Sequence, residues 1–259
     1  MSLTSVLSSL FGGRAKPKPR TVPAGTVVYA IGDIHGRLDK LLPLEGMIEA
    51  DAATRASTRK VLVYLGDYVD RGPSSQGVIE HLSLSRPAGF EVVYLAGNHE
   101  RLMLDFLEDP ENAGPWLANG GLPTLASYGL PAGERKELSQ ADVLRLQDGL
   151  RMLLPSRHRT FLKNLRFRHQ EGDFLFVHAG IRPGVDLAAQ TEDDMIWIRQ
   201  PFLTSNKDHG VVVVHGHTVT EEPEFRPNRI GIDTGAYASG VLTALVIEGG
   251  QVGVIQTSP

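Results

Sequence analysis

Hydrophobic and polar positions in this chain of 259 residues alternate between short apolar runs and polar loops that contain glycine. Apolar runs at 27–31, 61–65, 92–96, 174–177 and 211–214 are short and β-branched, which predicts buried strands. Between the first two runs, Leu38, Leu41, Leu42, Leu44, Met47 and Ile48 recur at helical spacing, and residues 77–84 predict a second helix. Strand–helix–strand alternation of this length indicates βαβ units with parallel pairing in the first half. From residue 101 to about 169 the pattern changes. Residues 101–107 and 141–154 read as helices, and the stretch between them is broken by Gly114-Pro115, Gly120-Gly121, Pro123, Gly129 and Pro131. This insert, 101–169, follows directly on the third strand's loop and is expected to wall the site or to pack on the sheet. The runs at 174–177, 211–214, 229–232 and 241–247 predict a second sheet.

Composition narrows the reading only modestly. The length suits one large α/β domain, and 41% hydrophobic with 22% charged residues is ordinary for a globular protein. The formal charge of −4 predicts no broad nucleic-acid-binding surface. That charge is uneven, because residues 1–25 carry Arg14, Lys16, Lys18 and Arg20 and no acid. These residues, rich in glycine and proline, read as a flexible basic arm ahead of a domain spanning 26–259. Without cysteine, disulfides and thiol nucleophiles are excluded. No run reaches the ~18 apolar residues of a membrane span. The mildly apolar start precedes its positive charges, the reverse of a secretory signal, so cytoplasmic residence is expected.

The candidate chemistry lies where the strand-like runs stop. They enter Gly32-Asp33-Ile34-His35-Gly36, Gly66-Asp67-Tyr68-Val69-Asp70-Arg71-Gly72, Gly97-Asn98-His99-Glu100, His178-Ala179-Gly180 and His215-Gly216-His217-Thr218. Carboxyl ends of parallel strands share one edge of a sheet, so Asp33, His35, Asp67, Asn98, His178 and His217 can converge. Carboxylate, imidazole and amide oxygen without sulfur form a ligand set for two hard-to-borderline divalent metals. Asp33 and His35, two apart, can grip one ion from the same side of an extended segment. Asp67 can bridge, and Asn98, His178 and His217 can complete the second ion. Metals about 3.5–4 Å apart clamp a bridging hydroxide and the oxygens of an in-line displacement. A dinuclear metallohydrolase is the expectation.

In their order and spacing these motifs resemble those of the phosphoprotein phosphatase family, within the calcineurin-like metallophosphoesterase superfamily. The resemblance is to its bacterial, phage-like serine/threonine branch, and it extends over residues 27 to 235. It implies a two-sheet α/β sandwich with flanking helices that hydrolyses phosphomonoesters with two metals, manganese first among them and iron, zinc or magnesium as alternatives. It also implies Asp33, His35 and Asp67 at the first metal, and Asp67, Asn98, His178 and His217 at the second. By the same resemblance His99 is the general acid, Asp70 its orienting partner, and Arg71 and Arg199 (in Trp197-Ile198-Arg199) contact the phosphate. A carboxylate beside an imidazole favours the protonated form, which suits an acid.

The expected substrate is a phosphoserine or phosphothreonine protein or peptide, with phosphotyrosine as a possible addition. The rival is a symmetrical bis(5'-nucleosyl)-tetraphosphate hydrolase, which shares the motifs; a non-catalytic binding module would require loss of a ligand or of His99, and none is lost. His215 reads as an interior neighbour of the site and Asp233 as a turn residue or a partner for a ligand histidine. His81, His158, His169 and His209 read as ordinary, without partners. Sequence fixes neither the physiological substrate nor the oligomeric state.

Overall fold

The computed structural model describes residues 19–130 and 138–259. Strands β1 (Thr26–Ile31), β2 (Arg59–Tyr64) and β3 (Glu91–Tyr94) are parallel, as the βαβ pattern requires, with helices α1 (Leu38–Thr54) and α2 (Ser75–Leu84) between them. Helices α3 (Asn98–Glu108), α4 (Ala113–Ala118), α5 (Gly121–Ser127), α6 (Gln140–Leu153) and α7 (Ser156–Lys163) follow. Then come β4 (Arg168–Glu171), β5 (Phe174–Val177), α8 (Glu192–Trp197), β6 (Val212–His215), β7 (Glu224–Phe225), β8 (Arg229–Gly231), α9 (Ala236–Ser239), β9 (Thr243–Glu248) and β10 (Gln251–Gln256). They form two five-stranded sheets, in the orders β10-β9-β1-β2-β3 and β4-β5-β6-β8-β7.

Period-two alternation sets the layers. Val28, Ala30, Val61, Val63 and Leu65 point to one face and meet Phe174, Phe176, Val212, Val214 and Ile230 of the other sheet. The intervening residues Val27, Tyr29, Ile31, Leu62 and Tyr64 point the other way, onto Leu41, Leu44, Val78, Ile79, Met103 and Phe106 of the helices. On the far side, Leu175, Val177 and Val213 pack against Met195, Ile198 and Phe202. Each central strand is therefore buried on both faces, which is why its sequence reads as a continuous apolar run.

Three expectations need correction. Residues 241–247 do not join the second sheet: β9 lies antiparallel to β1 in the first, and Leu245 and Ile247 fill its inner face. An apolar run states that a strand is buried, not which strand it neighbours. The stretch between the two predicted insert helices holds α4 and α5, because Pro115 and Pro123 fall in their first turns, where a missing N–H costs nothing. The arm, of which residues 1–18 lie outside the described residues, is tied down at its end. Val22 is buried between the sheets, its N–H donates to Gly249 O, and Thr21 N donates to Asp173.

Candidate metal centre

All the expected ligands lie just past the carboxyl ends of β1, β2, β3, β5 and β6, on one edge of the sandwich. The loops that carry them are tightly bent. Among the described residues the non-glycine positions with positive φ are His35 (45°), Asp67 (52°), Asp70 (73°), Arg71 (65°) and His217 (63°), each of them a predicted site residue. Such conformations persist only where the surroundings over-determine them. The backbone also crowds the ligands: a Cβ on Gly97 would collide with Asp67 Oδ1, and one on Gly216 with Asp33 Oδ1.

Asp67 is the hub. Its Oδ2 lies 3.5 Å from His35 Nε2, 3.4 Å from His178 Nε2 and 3.8 Å from His99 Nε2. Among the described residues two groups able to hold an ion result, His35–Asp67–His99 and Asp67–His178–His217, sharing Asp67 and buried. Asn98 Oδ1 is 3.0 Å from His178 Nε2. Asp33 stands in neither group; its carboxylate accepts from His217 N at 3.0 and 3.2 Å. Arg71 places Nη1 3.0 Å from His35 Nε2 and Nη2 3.2 Å from His99 Nε2. Arg199 is exposed at the end of α8 and donates to His217 O at 3.4 Å. The His99 Nδ1–Asp70 Oδ2 contact is 2.7 Å, with both side chains buried.

The residues fit a pair of divalent cations. His35 Nδ1 and His178 Nδ1 are taken by the carbonyls of Val69 (2.8 Å) and Leu65 (2.9 Å), which turns both Nε2 atoms toward Asp67. His217 Nε2 is buried without a hydrogen-bond partner. Burial holds His35 down to about 3 and His217 to about 2, so both keep a neutral lone pair. Burial, and then the neighbouring Asp233, push the Asp33 carboxyl well above its usual range. Burial also opposes charge on His178, yet Asp67 and Asp33 carry it up to about 10. The same buried carboxylates that force a proton onto His178 would be served better by a cation.

Sequence reading missed the residues that support this centre. Glu100, buried at the start of α3, accepts from the amides of Gly97 (2.9 Å), Asp67 (2.9 Å), Tyr68 (2.7 Å) and Val69 (3.2 Å), binding the β2 loop to the β3 loop. Burial and the nearby Asp67 push its carboxyl up to about 7 against those amides. An acid three residues after a strand-ending glycine is the N-terminal box of a helix, a signal present in the sequence. Trp116 and Thr124, from α4 and α5, donate to Asp70, and no local signal marks them. The half-exposed Tyr237 lies under the Arg71 guanidinium, 4.8 Å from ring centre to carbon, beside His35.

Elsewhere the expectations divide. His215 is interior, with burial lowering it to about 4, and Asp233 closes a turn by accepting from Gly235 N. His81, His158 and His169 do have partners, the carboxylates of Glu45, Glu80 and Glu171 at 2.6, 2.6 and 3.0 Å. Among the described residues no helix is long and apolar enough to cross a membrane.

Comparison with known proteins adds to this geometry. An asymmetrical bis(5'-nucleosyl)-tetraphosphatase, PrpE, of Bacillus velezensis is 27% identical over 234 residues, covering 82% of this chain and 86% of that protein. Among solved structures, a provisionally named diadenosine tetraphosphatase superposes with a TM-score of 0.57 at 22% identity, over 92% of this chain and 98% of that one. A protein serine/threonine phosphatase from Saccharomyces cerevisiae gives 0.56 at 13% identity, over 93% and 84%. These two likenesses concern the fold. Residues 26–226, from the first strand through the last of the loops that carry candidate ligands, match the calcineurin-like phosphoesterases, and the chain belongs to that family.

Proposed function

We propose that this protein is a dinuclear-metal phosphomonoesterase that removes phosphate from serine or threonine side chains of proteins or peptides. The observation that carries this reading is the buried His99–Asp70 pair at 2.7 Å, beside Asp67. An alkoxide leaves poorly and needs a proton in the transition state, whereas the phosphate leaving group of an anhydride does not. A positioned acid is therefore of most use against an alkyl monoester.

In this reading Asp33, His35 and Asp67 hold one ion and Asp67, Asn98, His178 and His217 the other, with manganese the expected metal. When bound, the metal pair supplies Lewis acidity and activates water. Arg71, whose guanidinium already faces His35 and His99, binds two phosphoryl oxygens through its planar fork, and Arg199 approaches from the His217 side. Asp70 orients His99, and His99 delivers its proton to the departing serine or threonine oxygen. The cytoplasm is the expected compartment.

A second reading is hydrolysis of a dinucleoside tetraphosphate. The curated relative's name supports it, and because that relative is an asymmetrical enzyme, the cleavage in this reading is asymmetrical rather than symmetrical. A single experiment separates the two: kcat/KM of the manganese-loaded protein on a phosphothreonine peptide, on diadenosine tetraphosphate and on an aryl phosphate. The first reading expects the peptide to be preferred over the dinucleotide. A preference of tenfold or more for the dinucleotide would overturn it in favour of the second.

A further inference from the structure

We infer that the α4–α5 segment is the positioning device for proton delivery and phosphate binding, acting on Asp70 and Arg71 through Trp116, Thr124 and Gly120. Asp70 and Arg71 are consecutive non-glycine residues in the left-handed region, at φ 73° and 65°. Each costs roughly 1–3 kcal/mol in that conformation, so something must hold the pair there. Most of the hydrogen bonds that do so come from this segment, joined by one from Asp70 N to Ser75 Oγ at 3.0 Å at the start of α2. Trp116 Nε1 donates to Asp70 Oδ2 at 3.0 Å and to Oδ1 at 3.1 Å. Thr124 Oγ1 donates to Asp70 Oδ1 at 2.7 Å and accepts from Asp70 N at 2.9 Å. Arg71 N donates to Gly120 O at 3.0 Å, and Gly120 itself is left-handed at φ 104°, with no room for a Cβ beside Arg71 Cγ.

These contacts leave Asp70 one further task. Trp116, Thr124 and Asp70 are fully buried, so no water competes for the carboxylate, and the remaining acceptor capacity of Oδ2 faces His99 Nδ1. Trp116 is itself fixed by Phe106, with ring centres 4.9 Å apart, and by Gly121, where a Cβ would strike the indole. The segment thus fixes the angle at which His99 presents Nε2 and the backbone from which Arg71 reaches the phosphate. Trp116 and Thr124 touch no reacting atom; they are positioning residues.

The inference rests on His99 as the proton donor, and the test separates the two claims. Trp116→Phe keeps an aromatic ring and removes the donor together with part of the indole's volume; Thr124→Val keeps the shape and removes the hydroxyl; Thr124→Ser restores it. Each is assayed as metal-loaded full-length protein on phosphothreonine peptide and on an aryl phosphate whose leaving group needs little protonation. Trp116→Phe and Thr124→Val are each expected to lower kcat on the peptide roughly tenfold or more, the size of one hydrogen bond to a charged group. The loss on the aryl phosphate should be several times smaller, Thr124→Ser should recover most of the peptide rate, and metal content should not change. In a His99→Asn background neither substitution should lower the rate further. Equal losses on both substrates, or no loss, would overturn the inference provided His99→Asn itself discriminates between them. If His99→Asn loses equally on both, it is the reading of His99 that fails.

Discussion

The two sheets contribute unequal halves of the site. The first sheet's loops carry Asp33, His35, Asp67, Asp70, Arg71, Asn98 and His99, and four of these are left-handed. They are cross-braced by Glu100, Trp116, Thr124 and Ser75. The second sheet contributes His178, His217 and the approach of Arg199. Its supports are partly borrowed: His178 Nδ1 is held by Leu65 O of the first sheet, and His217 N donates to Asp33. The half that would handle protons and phosphate is rigidly over-determined, while the other would supply mainly nitrogen ligands. Groups that act on a reacting atom must be placed to within a fraction of an ångström, and a dense hydrogen-bond brace provides that.

The largest effect should come from the residue both halves share. Asp67→Asn is expected to lower kcat by roughly 10³-fold or more by weakening both ions at once. Metal content measured alongside activity checks this; a variant that retains two ions per chain would contradict it. His217→Ala, confined to the second half, should leave one ion per chain instead of none, and anomalous scattering can count them.

His99→Asn sharpens the contrast further. It should keep metal content near normal while lowering kcat on phosphothreonine peptide by roughly 10²–10⁴-fold, the usual contribution of a positioned acid. On an aryl phosphate the loss should be much smaller. Glu100→Gln tests the brace: one amide oxygen cannot serve four N–H donors, so unfolding by denaturant should show about 2–3 kcal/mol less stability, from buried donors left unpaired. A change below about 0.5 kcal/mol would mean that the loops are held by something else.

The smallest effect lies away from the site. The hydrogen bond that His81 donates to the Glu45 carboxylate raises the pKa of His81 in the folded state. A group whose folded pKa is raised contributes stability fully below its unfolded value, about 6.5, and loses it as pH rises through the folded value. His81→Gln should therefore cost at most about 1 kcal/mol, as expected for a partly exposed pair. The cost should appear below about pH 6.5 and vanish in alkaline solution. Melting curves across pH give the sign directly.

Much of this was legible beforehand, and for a definite reason. The candidate ligands each follow an apolar run, and parallel strands buried on both faces must deliver their carboxyl ends to one edge. The same reasoning failed for 241–247, because burial specifies a strand but not its neighbour. It failed for α4 and α5, because prolines and glycines that usually end helices here begin them. It failed for His81, His158 and His169, whose carboxylate partners lie far away in sequence or, for Glu171, gain meaning only on the paired strand.

What the sequence determined by itself is the inventory and its order: which side chains are candidates to bind metal or move a proton, and which strand each one follows. That follows from periodicity, which is local. Only the tertiary structure decided how those residues are held. The left-handed turns at Asp67, Asp70 and Arg71, the four amides on Glu100 and the donors from Trp116 and Thr124 depend on segments that meet only in the folded chain. A hydrogen bond across 46 or 54 residues leaves no periodic trace in the sequence, because its two ends are independent until packing brings them together.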